Sequence, residues 1–220
     1  MANRPILFSA PMVRALLAGR KTQTRRVINP TSRGMAPGQL MIFEGPRFGA
    51  TVYRFEPRFE VGDRLYVREE WRLGRKWDDT KPSMLPERGM TVLYAAGGSS
   101  SNIAPGEWGY ENFPAEIPDW AGRRRPGMHL PRWASRLTLT VTDVRVQRLQ
   151  DCSEADAIAE GIQQYGRFFG LPDTDWDDAE LTAVAAYHRL WNDINGAGAW
   201  EANPWVVAVS FDVRKGNIDD

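Results

Sequence analysis

The sequence predicts a mixed α+β fold, a small mixed or closed β-sheet with peripheral helices and long inserted loops, on three observations. Residues 136–150, RLTLTVTDVRVQRLQ, alternate at the period of a strand, and VGDRLYVREEWRL (61–73) and PWVVAVSFDVR (204–214) are rich in strand formers. PMVRALLAGRK (11–21), CSEADAIAEGI (152–162) and DDAELTAVAAYHRLWNDING (177–196) have helical spacing instead. These elements lack the strict strand-helix rhythm of a doubly wound sheet. No strand leads into G-x-G-x-x-G and no Walker sequence occurs, which disfavours a dinucleotide or P-loop site; no cofactor is expected.

In chain order, RPILFSA is extended and gives way to a short helix with Ser9 as cap and Pro11 in the first turn. Met12, Ala15 and Leu16 share its apolar face, and Gly19 ends it. The segment TRRVI (24–28) then reads as extended. Residues 29–60, rich in Pro, Gly and Arg, form a first insertion with a short strand at TVYRFE. In the strand over 61–73, Leu65, Val67, Glu69 and Trp71 point one way and Arg64, Tyr66, Arg68, Glu70 and Arg72 the other. Burying an ionised carboxylate without partners is costly, so Glu69 must meet a cation or hydrogen-bond donors.

A second insertion over 74–128 holds a strand at MTVLYAA, the stretch GGSSSN and two aromatic, proline-bearing loops ending at GRRRPG. After the long strand of 136–150, Ser153 caps a short helix, with Asp156 at the capping-box spacing and Ala157, Ile158 and Ile162 for packing. Residues 166–178 read as a polar loop. Acidic residues lead the last helix, whose stripe is Leu181, Val184, Tyr187 or His188, Trp191 and Ile194, and Asn195-Gly196 ends it. The whole chain, 1–220, reads as a single domain carrying the two insertions.

No run of 18 apolar residues and no secretory leader pattern is present, so a soluble, cytoplasmic protein without a membrane partner is expected. Cys152 is the one cysteine, which excludes an internal disulfide, and with only His129 and His188 besides, no metal site is expected. The balanced charge hides a separation: residues 1–150 carry 24 Lys+Arg against 14 Asp+Glu, an excess of ten, and residues 151–220 carry 4 against 14, a deficit of ten. Either the basic front faces an anionic partner or the two parts neutralise one another. Of the 28 basic residues 24 are arginine, whose planar fork suits phosphates and base edges; a GC-rich genome gives the same bias.

The basic octet GRKTQTRR (19–26) leaves the first helix, and LYVREEW and NPWVVAVSF follow later. Together these resemble the ASCH domain, a branch of the PUA-like β-barrels, in the type often found in phages and prophages. The signature of that group (glycine, any residue, lysine, two residues, threonine, any residue, arginine) falls on Gly19, Lys21, Thr24 and Arg26. The resemblance implies a small PUA-like barrel whose basic cleft takes RNA, single-stranded nucleic acid or a modified nucleobase, nucleoside or nucleotide. For a phage-encoded protein this would be in the host cytoplasm. Some members are hydrolases, acting on the amide of N4-acetylcytidine or as ribonucleases.

Carried over by position, Lys21, Thr24 and Glu69 are the candidate catalytic residues. Arg20, Thr22, Arg25, Arg26, Arg68, Trp71 and Arg124 are the candidate ligand-binding residues. The residues themselves allow this grouping, since a threonine hydroxyl needs a neighbouring base to attack a carbonyl. Lys21 can be that base if desolvated and neutral, whereas pairing with Glu69 would make it a charged phosphate clamp; the sequence admits both. It also admits plainer roles: cations are favoured after a helix C-terminus, Thr24 suits a strand, and Glu69 suits a buried arginine partner. Arg123, Arg124 and Arg125 read as a solvated run or, with Trp120 and Trp133, as a platform for single-stranded nucleic acid. A structural or interaction protein that uses the fold as a scaffold, without a ligand, is the third class.

Overall fold

The computed structural model describes residues 1–28, 40–44, 51–55, 58–101, 117–172 and 178–220. It is a mixed α+β fold, with twelve strands and three α-helices among the described residues. The strands are β1 (Asn3–Leu7), β2 (Gln23–Val27), β3 (Leu40–Glu44), β4 (Thr51–Phe55), β5 (Arg64–Arg68) and β6 (Trp71–Arg72). They continue with β7 (Thr91–Tyr94), β8 (Ser99–Ser101), β9 (Leu137–Arg148), β10 (Gln163–Tyr165), β11 (Phe168–Gly170) and β12 (Trp205–Lys215). The helices are α1 (Ala10–Leu17), α2 (Glu154–Ala159) and α3 (Ala183–Asn195). One mixed sheet runs β1-β5-β9-β12-β2, and no closed barrel is seen among the described residues.

The chain divides into two compact units. The first comprises residues 1–19, 63–140 and 212–220. Here β1 lies parallel to β5, with Pro5 opposite Tyr66, and β5 lies antiparallel to β9, with Leu65 opposite Leu139. Leu65, Leu137 and Leu139 are fully buried; each such side chain contributes about 1.5–3 kcal/mol. A smaller antiparallel sheet, β6-β7-β8, continues from the same stretch of chain. Its Trp71 and Tyr94 share a core with Leu73, Met90, Val92 and Leu130. The chain therefore leaves one sheet at Arg68 and joins another at Trp71, so the single strand predicted over 61–73 is two strands around Glu69-Glu70.

Helix α1 begins where Pro11 fixes the first turn and ends before Gly19, whose φ of +70° is the left-handed region glycine favours. Ser9 is extended at the cap position without a side-chain hydrogen bond, and the buried face is Val13, Ala15 and Leu16 rather than Met12, Ala15 and Leu16. Gly127 is a second position where only glycine fits: an added Cβ would fall 2.9 Å from the backbone carbonyl carbon of Glu69. MTVLYAA and GGSSSN of the second insertion provide β7 and β8.

The second unit comprises residues 20–62 and 141–211. In it β2 and β12 pair antiparallel, with Thr24 opposite Val209 and Arg25 opposite Ala208. Strands β3 and β4 form a hairpin-like antiparallel pair within the first insertion, and the rest of residues 29–60 up to Pro57 lies outside the described residues. Ser153 caps α2 as expected: its hydroxyl accepts from the Asp156 N–H at 3.2 Å while the Asp156 carboxylate accepts from the Ser153 N–H.

The polar loop expected over 166–178 instead contributes β11, paired with β10, and its residues 173–177 lie outside the described ones. The last helix starts at Ala183, later than the sequence suggests, because Thr182 caps it and the Glu154 carboxylate accepts from the Ala183 N–H at 2.7 Å. The negative charge at its N-terminus thus comes from α2, not from the preceding acidic run. Its buried face is Ala183, Ala186, Tyr187 and Trp191, and Leu181 and Ile194 are exposed. No described helix is long and apolar enough to cross a membrane.

Candidate functional site

The basic octet enters the second unit as a bend and strand that carries cations inward. Phe211 N–H donates to the Thr22 carbonyl at 2.9 Å and Thr22 N–H to the Ala159 carbonyl at 2.8 Å, which clamps this segment between β12 and α2. Strand alternation alone would send Thr24 and Arg26 one way and Arg25 the other. Gln23, Thr24 and Arg25 are nonetheless all buried, Arg26 and Arg20 are partly buried, and Thr22 is exposed. One nitrogen of Arg20, Nη1, is buried with no hydrogen-bond partner among the described residues.

Lys21 is 1% exposed, and its ammonium donates to Glu160 Oε2 at 2.7 Å and to the Glu160 carbonyl at 2.8 Å. Arg25 Nη1 donates to Glu160 Oε1 at 3.2 Å and to Gln23 Oε1 at 2.6 Å. Its Nη2 lies 3.1 Å from Asp156 Oδ2 as an ion pair without hydrogen-bond alignment. Asp156 Oδ1 accepts from Arg145 at 2.8 Å. Two buried cations and two carboxylates thus form a compensated cluster, with Arg145 at its rim.

Burial draws Lys21 below the ordinary lysine range, and the Glu160 charge pulls it partly back. Burial also pushes the Tyr187 hydroxyl upward, assisted by Glu160, and the Cys152 thiol up to about 12. For Asp156 burial acts upward, but hydrogen bonds from Arg145 and Ser153 outweigh it and hold the carboxyl below its ordinary value.

Glu69 belongs to the first unit and does meet a cation. Arg136 Nε donates to its Oε1 at 2.8 Å and Nη2 to its Oε2 at 2.9 Å, both side chains being buried. Arg136 also lies over the Tyr94 ring at 4.0 Å and donates to the Gly97 carbonyl. Burial pushes the Glu69 carboxyl upward against the pull of Arg136. Lys21 and Glu69 are therefore not ion partners: each has its own, Glu160 for the lysine and Arg136 for the glutamate.

In the sequence Glu160 looks like one more acid near the end of a short helix. Its signal was the spacing of three from Ala157, which puts it on the buried side of α2.

A cavity of about 640 Å³ in the first unit includes Trp71 and Arg124 of the expected ligand-binding set, together with Arg14, Glu70, Arg72 and Tyr94. Backbone hydrogen bonds in both directions between Trp71 and Arg125 bring the GRRRPG segment alongside β6. Trp71 is fully buried, its indole N–H has no hydrogen-bond partner among the described residues, and the Arg125 guanidinium lies over its ring at 5.3 Å. Arg124 Nε donates to Glu70 Oε2 at 2.8 Å, whereas Arg68 is used locally, donating to the Met128 carbonyl and to the Tyr66 hydroxyl. Trp133 does not line this cavity.

Comparison with family models, with curated proteins and with solved structures gives no match to the chain. Among the described residues no group of three or more histidine, cysteine, aspartate or glutamate side chains is arranged to hold a metal ion.

Proposed function

We propose that this protein binds RNA or a nucleobase-containing ligand on a fold of the PUA-like ASCH kind, and that the cavity beside Trp71 and Arg124 receives it. The observation that carries this reading is the lining of that cavity. Arg14, Arg72 and Arg124 share about 640 Å³ with Trp71, Tyr94, Leu93 and Pro118. Guanidinium forks suit phosphate oxygens, the apolar part of the lining suits contact with a base without stacking on the covered Trp71 and Tyr94 rings, and the volume falls within the range of small-ligand pockets. Titration of the protein with single-stranded RNA and with nucleosides, over a series of salt concentrations, tests it. Binding that weakens with salt and falls in Arg72→Ala is expected. No binding of RNA, nucleoside or nucleotide at millimolar concentration would leave the scaffold reading in its place.

A second reading, hydrolysis of an amide on a modified base or of an RNA phosphodiester, draws on Lys21 and Thr24 in the second unit. Burial lowers the pKa of Lys21, and a lysine must be neutral to activate a threonine hydroxyl. In this reading Glu160 rather than Glu69 supplies the carboxylate. The opposing facts are the ion pair, which favours the ammonium, and the burial of Lys21 and Thr24 away from solvent. Incubation with N4-acetylcytidine and with mixed RNA decides it: turnover that is equal in the wild type and Lys21→Ala removes the lysine from any mechanism.

A further inference from the structure

The reading above leaves open which part of a ligand the arginines take, and the inference here rests on that reading. The cavity of the first unit carries three guanidinium groups, Arg14, Arg72 and Arg124, against one carboxylate, Glu70. Arg14 on α1 is exposed and has no hydrogen-bond or ion partner for its side chain among the described residues. Arg72 spends Nη1 on the Gly122 carbonyl at 2.9 Å. Arg124 turns the Nε/Nη2 edge of its fork onto Glu70: Nε donates to Oε2 at 2.8 Å and Nη2 donates to the same oxygen.

That edge is the one with which a guanidinium grips an oxyanion by two parallel donors. Glu70 meets it with a single oxygen, so the match is incomplete. The pair is also accessible, with Arg124 and Glu70 side chains 63% and 31% exposed, so exchange of one anion for another needs no opening of a core.

We propose that this cavity is a site for a terminal phosphomonoester, on a free mononucleotide or at a phosphorylated RNA end, and that Glu70 is an internal competitor holding the phosphate's place on Arg124. Charge matching selects the monoester. With Glu70 displaced, three guanidiniums face the ligand, and a phosphomonoester near pH 7, carrying about −1.5 to −2, offsets more of that charge than a singly charged diester. When the monoester arrives, the Arg124 fork passes from the single oxygen of Glu70 to two oxygens of the phosphate, and the freed carboxylate turns to solvent.

The test is calorimetric titration of the full chain with a 5′-mononucleotide, its nucleoside, inorganic phosphate, and an RNA oligomer with and without a 5′-phosphate. The mononucleotide should bind about ten-fold or more tightly than its nucleoside, the size of one or two charge-assisted hydrogen bonds. Arg124→Ala and Arg124→Lys should both erase that advantage, the lysine because it keeps the charge but loses the fork. Glu70→Gln should strengthen mononucleotide binding several-fold and leave the nucleoside unchanged, since it removes the competing charge while keeping the side-chain shape. Circular dichroism checks that each variant is folded.

Equal binding of nucleoside and mononucleotide would overturn the inference and leave the proposed function standing. Weaker mononucleotide binding by Glu70→Gln would overturn it too, because Glu70 would then be orienting Arg124 rather than competing for it. Failure of every ligand would remove both. The oligomer pair separates the two sources: an advantage for the 5′-phosphorylated strand assigns the site to RNA ends, and an advantage confined to the mononucleotide assigns it to free nucleotides.

Discussion

Lys21→Met is the perturbation that most directly probes the buried cluster of the second unit. Methionine keeps most of the length and volume of the lysine stem, so the change removes the charge and its donors without opening a large cavity. Two hydrogen bonds to Glu160 disappear, at 2.7 and 2.8 Å, and a carboxylate whose side chain is 4% exposed retains Arg25 at 3.2 Å and the neighbouring Tyr187 hydroxyl. Breaking a buried pair by removing one partner costs about 3–5 kcal/mol, and the surviving Arg25 contact places the expected loss near the lower end, about 3 kcal/mol.

Neutralising both partners should be far milder. In Lys21→Met/Glu160→Gln the remaining Arg25 and Asp156 still balance, and stability should return to within about 1–2 kcal/mol of the wild type. Urea unfolding followed by tryptophan fluorescence reads both values, with an unchanged slope showing that the same surface is exposed on unfolding. A loss below about 1 kcal/mol in the single variant, or a double variant equal to the sum of its singles, would refute the claim that these two charges compensate each other inside the fold.

Three further outcomes are expected. Gly127→Ala should lose about 1–3 kcal/mol, seen as a lower thermal midpoint, because its Cβ would press on the Glu69 backbone at 2.9 Å and cannot be relieved by a side-chain rotation. The folded pKa of Asp156 is depressed from 3.8, so its contribution to stability is present above that value and lost as pH falls through the folded pKa. Asp156→Asn should therefore be less stable at pH 7 and show a shallower acid decline in urea midpoints between pH 5 and about pH 2. Cys152 ionises near 9.0 when unfolded but only at about 12 when folded, so stability should fall as pH rises above 9, and Cys152→Ala should flatten that slope. The same thiol should react with a thiol reagent only as fast as the protein opens.

Elements whose signal is local were legible from the residues. The alternation of LTLTVTDVRV fits a strand, and Ser153 with Asp156 marks the start of a short helix. Pro11 and Gly19 bounded α1 by their allowed backbone angles. The demand that a buried Glu69 find a cation was also local, because desolvation sets it whatever the fold. Which cation answered it was not local. Arg136 lies 67 residues away in sequence, and Glu160 lies 139 from Lys21. Nothing in the composition of either segment ranks one long-range partner above another.

The start of α3 is likewise set by a distant partner. The acidic run suggested a helix N-terminus, but the carboxylate that satisfies the first free N–H groups comes from Glu154 on another element. The cavity was half visible, in Trp71 and Arg124, while Arg14 and Glu70 joined it only through the path of the chain. The sequence by itself determined the α+β class, most strand and helix positions and the need for charge compensation, because these follow from backbone geometry and desolvation at single residues. Tertiary structure alone decided which charges pair and which arginines share a cavity, since pairing at 3 Å depends on where distant segments are brought together, and that is a property of the packed chain rather than of any stretch within it.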